Sequence, residues 1–491
     1  MGLMLFNPIS LSYAPICVRN QKLIDPSSTA VVVIDMWNKH WCKTYTKRVS
    51  NMVPRMNEAI EAARRLGLQI VFAPSDVMDF YENYPQRRKM QAIPSHPLPE
   101  DNGFEPPEEP VGKGCCECGP DQPCITHSNG HWTRQHPDLI VAEDDLIGDC
   151  NNERELVNFC QQRGIDTLIY MGVASNMCVI RRQFGMVNMR RYGLNVLFVS
   201  DLVQASTANG IDPEKKTPDP NFTPAKGSSI VQRYLESHVG PSMESRQLID
   251  AAGMSLFADD KRPHIVFVVA ENEYLSKDSI PKFAREYLEK DFHYTLLYAR
   301  SGEGRNDVPG LDAMYDADLL VLSMRRRALP VVQMDHLEHY IRSGKPIVAI
   351  RVSIVPFQVG PDERPDGHVI WQDFDKEVLG CNYQAYNPKS REVGSDIWIV
   401  DESISHPITS GLNQTGFHSA SWLYKLNPLA DSTTLLTRGR WSEDDPDEPV
   451  AFTNTYQGGR VFYTSLGHPD DFEDDFFCKL LANAISWAVG T

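Results

Sequence analysis

Two stretches of this chain set an apolar, β-branched run directly before a reactive residue, and that pairing restricts the fold more than any other feature. Ala30-Val-Val-Val-Ile34 delivers Asp35, and Leu168-Ile-Tyr-Met171 runs into Gly172-Val-Ala-Ser175 and then Cys178. Apolar runs without polar alternation are strands of a parallel sheet covered by helices on both faces. The intervening sequence agrees. Met52 to Leu66 has helical period, Gly67 closes it, and Leu68-Gln-Ile-Val-Phe-Ala73 is a second strand. Leu139-Ile-Val141 reads as the third strand, Glu153 to Arg163 as a helix, Leu194 to Val199 as the fifth strand, and Ile230 to Leu235 as a returning amphipathic helix.

At 491 residues the chain exceeds what one hydrophobic core can organise. Around Phe257-Ala-Asp-Asp-Lys-Arg-Pro263 the pattern turns polar, and it restarts at His264-Ile-Val-Phe-Val-Val-Ala270. A second alternation follows: strands at Tyr294 to Tyr298, Ala317 to Leu322, Pro346 to Ile350, Trp398 to Val400 and Gly459 to Ser465, helices at Ile280 to Leu288, Val331 to Ile341 and Phe476 to Val489. The expected fold class is α/β, two doubly wound (Rossmann-like) parallel-sheet domains in tandem over 1–260 and 261–491. Residues 85–137, rich in Pro, Gly and charge, form an insertion in the first.

The formal net charge of −17 is spread along the chain, which repels phosphate backbones and argues against nucleic acid as a partner. No apolar run approaches a membrane span, and the first residues lack the basic start of a signal peptide. Eleven cysteines, an odd number in so long a chain, fit a reducing, cytoplasmic setting. The expected partners are a small-molecule substrate and further copies of the chain, with no nucleic acid and no membrane.

A strand, a small-residue turn and a helix starting near Ser175 or Asn176 put Cys178 in a first helical turn at the sheet's carboxyl edge. Its apolar face would be Met177, Ile180, Phe184 and Val187. There the helix dipole favours a thiolate, and backbone N–H groups at Ala174 and Cys178 can receive an oxyanion. A buried structural thiol is the other reading. Asp35, at a strand end, is either a helix cap or a base; Trp37 and Asn38 just beyond it could wall a pocket. In the insertion, Cys116, Cys118, Cys124 and His127 form a dense set of soft ligands able to close a structural zinc site, with Cys115 spare. The usual two-residue gap between paired zinc cysteines is absent, so free thiols or a local disulfide also fit.

Gly172-Val-Ala-Ser-Asn-Met-Cys-Val179, together with Thr29-Ala-Val-Val-Val-Ile-Asp-Met-Trp37 and Asp201, resembles the isochorismatase-like cysteine hydrolases, a family that includes nicotinamidases and carbamoylsarcosine and ureidoacrylate amidohydrolases. The resemblance implies Cys178 as nucleophile, Asp35 as its base, and no cofactor needed for catalysis. Two departures stand out. Asp76 is not followed by the histidines of the nicotinamidase metal site. No lysine stands at the end of the third strand, where Ala142-Glu-Asp-Asp145 is found, which leaves Arg134 as the candidate cation. In the second half, Gly459-Arg-Val-Phe-Tyr-Thr-Ser-Leu-Gly-His468 and Asn483-Ala-Ile-Ser-Trp487 resemble the trehalose-utilisation (ThuA-like) family, with its class I glutamine-amidotransferase-like fold. Where amidotransferases carry a cysteine elbow this chain has Arg351, which implies a domain without a nucleophile; His418 and His468 read first as hydrogen-bonded loop histidines and second as ligand contacts. The implied activity is cleavage of a C–N bond in a small amide, ureide or carbamoyl compound. The alternative is a non-catalytic small-molecule-binding or scaffolding protein.

Overall fold

The structure, a computed structural model, describes residues 24–112, 116–120, 123–124, 131–213, 215–255, 260–360 and 363–491. The chain divides into two compact units, Met1–Asp260 and Lys261–Thr491.

The first unit is built on six strands: β1 (Thr29–Ile34), β2 (Gln69–Ala73), β3 (Leu146–Ile147), β4 (Thr167–Val173), β5 (Asn195–Gln204) and β6 (Ser242–Met243). They lie in the order β3-β2-β1-β4-β5-β6, every neighbouring pair parallel. All six residues of β1 are buried, because helices cover both faces. On one face packs α1 (Lys43–Arg65) with the short helix α2 (Met78–Tyr81), while α3 (Pro85–Gln91) sends Met90 into the core of the other face. The other face carries α4 (Glu153–Arg163), α5 (Cys178–Arg181), α6 (Met186–Arg191) and α7 (Pro224–His238), while α8 (Ser245–Ala251) joins α1. Strand order reverses between β1 and β4, so their carboxyl ends frame the crevice where such sheets bind ligands.

Three expectations need correction here. Leu139-Ile-Val141 is not a strand: Ile140 is 59% exposed, and the third strand is the shorter Leu146–Ile147 beside Val71 and Phe72. Three apolar residues flanked by acids are too little to hold a place in the sheet. Helix α1 begins at Lys43, nine residues before Met52, with the Cys42 thiol accepting the Tyr45 N–H as its cap and Pro54 facing solvent. The helix after the nucleophile does not run on to Val187. It breaks at Arg182–Gly185, and neither Ser175 nor Asn176 caps it.

In the second unit, His293–Tyr298, His264–Ala270, Leu319–Met324, Ile347–Ile350 and Gly459–Thr464 form a parallel run. Antiparallel strands Glu448–Tyr456, Thr434–Arg440, Ser395–Ile399 and Phe417–Ser419 extend it to nine. The α/β alternation is as expected; the sheet is mixed rather than wholly parallel.

Candidate functional site

Gly172 brings the two key strands together. A Cβ there would lie 1.9 Å from the Ile34 carbonyl oxygen, and its φ of +133° is outside the range of ordinary side chains. Only glycine lets β4 approach β1 this closely. The residues directly after each strand, Asp35 (φ +53°) and Ala174 (φ +59°), both take the left-handed conformation. Two sharp turns at one crevice therefore aim Asp35 and the Cys178 segment at the same point, at a local cost of the order of 1–3 kcal/mol each.

Asp35 is fully buried. Its Oδ1 accepts the Ser75 N–H at 2.8 Å, while Oδ2 has no hydrogen-bond partner meeting ordinary geometry. Among the described residues the cation nearest this carboxylate is not Arg134 but Arg182, whose Nε lies 3.6 Å from Asp35 Oδ2. Arg182 is in turn held by Asn151 Oδ1 at 3.0 Å and Asp76 Oδ2 at 3.4 Å. Arg134 instead places its guanidinium 5.6 Å from the Phe80 ring centre and gives its carbonyl to the Asn38 N–H. Cys178 is partly buried between the two core clusters of this unit, within interaction range of both Asp35 and Arg182. Burial pushes the thiol well above its ordinary pKa; Asp35 pushes the same way and Arg182 opposes them. Burial likewise raises Asp35, against the Ser75 hydrogen bond and the Arg182 charge. The Arg182 guanidinium loses water on burial, yet Cys178 and Asp35 together hold it more firmly protonated. A second thiol nearby, Cys150, is buried and pushed up by desolvation and then by Asp35, which leaves it protonated.

The expected oxyanion donors separate. Past β4 the Ala174 N–H has no strand partner, and a buried orphan donor is costly. It donates to the Tyr45 hydroxyl at 2.7 Å and is occupied in the free protein. The Cys178 N–H has no such partner among the described residues. With α5 only four residues long, the positive groups beside the thiol are this N–H and the Arg182 guanidinium rather than a helix dipole.

Trp37 and Asn38 serve the insertion. The Trp37 ring is buried and stacks on Trp132 at 4.5 Å, and both ends of the Asn38 amide bond Thr133 at 3.0 Å. Asn38 thus clasps the returning chain, while the buried Trp37 Nε1 has no hydrogen-bond partner among the described residues. Asp201 lies within β5, and its carboxylate accepts the N–H and hydroxyl of Ser245.

Cys116, Cys118 and Cys124 do converge, but the fourth member of the group is Cys42, at the start of α1. His127 lies outside the described residues. These four cysteines, Cys42 buried and the other three partly so, form a cluster able to bind a metal. Sequence spacing missed Cys42 because it stands 74 residues from Cys116. Arg182 was legible: four residues after Cys178, it shares a helical face with it.

In the second unit Arg351 occupies the turn after Ile347–Ile350 with φ +49°, buried, its Nη1 donating to Ser421 Oγ at 2.5 Å and the Ser465 carbonyl at 3.1 Å. Its guanidinium lies 4.0 Å from the Tyr274 ring centre. His418 pairs with Asp396 at 2.7 Å, and His468 caps the short helix Pro469–Glu473. No cysteine stands at this turn.

The model of the family described as ThuA, trehalose utilisation, matches residues 266–488. No curated protein matches the chain. Among solved structures, a putative ThuA-like protein from Bacteroides uniformis is 16% identical, covering 46% of this chain and 92% of its own, with a TM-score of 0.34. A cysteine hydrolase from Pseudomonas syringae is 17% identical over 47% of this chain and 95% of its own, TM-score 0.29. An N-carbamoylsarcosine amidase from Thermoplasma acidophilum is 15% identical over 44% and 96%, TM-score 0.25.

Proposed function

We propose that the first unit is a cysteine hydrolase cleaving the C–N bond of a small amide, ureide or carbamoyl compound. The observation that carries this reading is the convergence of a buried carboxylate, a guanidinium and a thiol at the sheet's switch point, two of them held by left-handed turns that packing alone does not require. Asp35 Oδ2 takes the proton from Cys178 Sγ, and the thiolate adds to the substrate carbonyl carbon. The C=O electron pair moves to oxygen, where the Cys178 N–H and Arg182 receive the charge. The C–N bond breaks, Asp35 returns its proton to the leaving amine, and a thioester remains. Asp35 then takes a proton from water, whose oxygen attacks the thioester, and the proton passes to the departing sulfur. Elevated pKa values on both acid partners suit a proton that must travel in each direction. The thiol cluster has no part in this scheme; the ion assigned to it below is structural. The second unit, with Arg351 at its elbow, is assigned a binding or packing role without hydrolysis.

Turnover screening of the full chain over amides, ureides and carbamoyl compounds tests the proposal. Product formation is expected from the native protein and not from Cys178→Ala. Full activity in Cys178→Ala would refute it. One observation favours the binding-only alternative: the Ala174 N–H is already occupied by Tyr45. Saturable ligand binding with no product in any class would support that alternative.

A further inference from the structure

We propose that Cys42, Cys116, Cys118 and Cys124 bind one zinc ion, which fastens the insertion to the first turn of α1 and through Tyr45 keeps the nucleophile turn in register.

The four sulfurs lie within 4.8 Å of one another. Cys42 is 3.8 Å from Cys118 and 3.9 Å from Cys116, and Cys118 is 3.4 Å from Cys124. A tetrahedron with zinc–sulfur bonds of about 2.3 Å has edges of about 3.8 Å, so these separations need little adjustment to take the ion. They are far longer than a disulfide's roughly 2.05 Å.

Three of the four sulfurs accept hydrogen bonds. Cys42 Sγ accepts the N–H groups of Glu117 at 3.2 Å and Tyr45 at 3.4 Å. Cys116 Sγ accepts the Cys124 N–H at 3.4 Å, and Cys118 Sγ accepts the Thr44 hydroxyl at 3.2 Å. Donors aimed at sulfur stabilise ligating thiolates and fix their orientation. Binding releases the thiol protons and replaces them with one dication.

The ion's second effect follows from what lies beside each ligand. Glu117, between two of the cysteines, is buried and pairs with buried Arg48 of α1 at 2.7 Å, while accepting the Thr207 N–H at 3.1 Å. Tyr45, three residues after Cys42, sends its hydroxyl to the Ala174 N–H. One ion thus ties together the insertion, α1 and the turn before Cys178. Beyond α3 the described residues of the insertion form no helix and no named strand, so a metal link supplies what a core would otherwise provide.

The test uses the full chain. Metal analysis should find about one zinc per chain, and cobalt replacement should give the ligand-field and charge-transfer bands of a tetrahedral four-thiolate site. Cys42→Ser should lose the zinc, whereas His127→Ala and Cys160→Ser, the latter in α4, should keep it. Chelation of the native protein should accelerate hydrogen exchange in the peptide spanning 167–181. No zinc in the native protein, or loss in His127→Ala with retention in Cys42→Ser, overturns the ligand assignment. Should Cys42→Ser not fold, the cobalt spectrum of the native chain decides, since a three-thiolate spectrum rejects this set. Unchanged exchange after zinc removal overturns the link to the nucleophile turn. None of these readouts depends on hydrolysis.

Discussion

Removing Arg182 should disable the thiol without unfolding the protein. At 3.6 Å from Asp35, unit charges attract by about 1 kcal/mol in bulk water and about 4–5 kcal/mol at an effective dielectric near 20. Arg182 is 26% exposed, which places it between those limits, and its desolvation cancels part of the attraction. A net effect of about 1–3 kcal/mol on the ionised pair corresponds to about one to two pH units. Arg182 also opposes the rise of the Cys178 pKa directly, so in Arg182→Ala the pH midpoint for iodoacetamide alkylation of Cys178 should rise on the same scale. Turnover should fall on the order of 10²–10³-fold, since oxyanion support is lost as well. Arg182→Lys keeps the charge but not the fork reaching Asp35, Asn151 and Asp76, and should recover the midpoint more than the turnover. Arg134→Ala should change neither. Alkylation and pH–rate profiles on refolding-competent variants decide it. An unshifted midpoint in Arg182→Ala, or the loss appearing in Arg134→Ala instead, would refute the reasoning.

Asp35→Asn should abolish turnover yet raise the melting temperature at neutral pH. Burial raises the Asp35 pKa in the fold, so its stability contribution is complete below the unfolded value of 3.8 and is lost as pH rises toward the folded value. Asparagine accepts the left-handed turn and removes that dependence, so the two melting curves should converge in acid; a variant less stable at neutral pH contradicts this. Gly172→Ala should cost at least about 3 kcal/mol by chemical denaturation, from backbone strain plus the clash with Ile34. Peptide mapping after limited alkylation should find Cys178 labelled first among the described cysteines of zinc-loaded protein. After chelation Cys118 should compete: burial raises its pKa, but hydrogen bonds from Thr44 and Cys124 outweigh this and hold it at about 7. Arg351→Met should lower stability while leaving kcat unchanged; a lower kcat would move part of the chemistry into the second unit.

What the sequence revealed tracks how local each signal is. Val31, Val33, Ile169 and Met171 sit in fully buried strands, and continuous apolar runs announce such strands without tertiary information. Asp35 was legible because a strand end in this topology is a ligand-facing position. The antiparallel strands Thr434–Arg440 and Glu448–Tyr456 carry Arg438, Arg440, Thr453 and Asn454, polar enough to read as loop. Cys42 could not be joined to Cys116 by spacing, since only the folded start of α1 brings them together. The Ala174 N–H was assigned to substrate because nothing in the sequence shows a tyrosine from α1 reaching it. The place of the missing lysine pointed to Arg134, and the helical spacing that puts Arg182 four residues after Cys178 went unused.

In this structure the Tyr45 hydroxyl occupies the Ala174 N–H, so a ligand using this N–H in addition to the Cys178 N–H would have to displace it. A ligand that needs this N–H binds only molecules in which the hydroxyl has swung away, and its apparent affinity falls by the fraction so populated. If that fraction is about 1%, affinity is lower by about a hundredfold. A ligand that leaves the N–H alone feels no such reduction. The tyrosine would therefore rank ligands by whether they need the Ala174 N–H. Tyr45→Phe should flatten that ranking, because the N–H would be open to every molecule that enters the crevice.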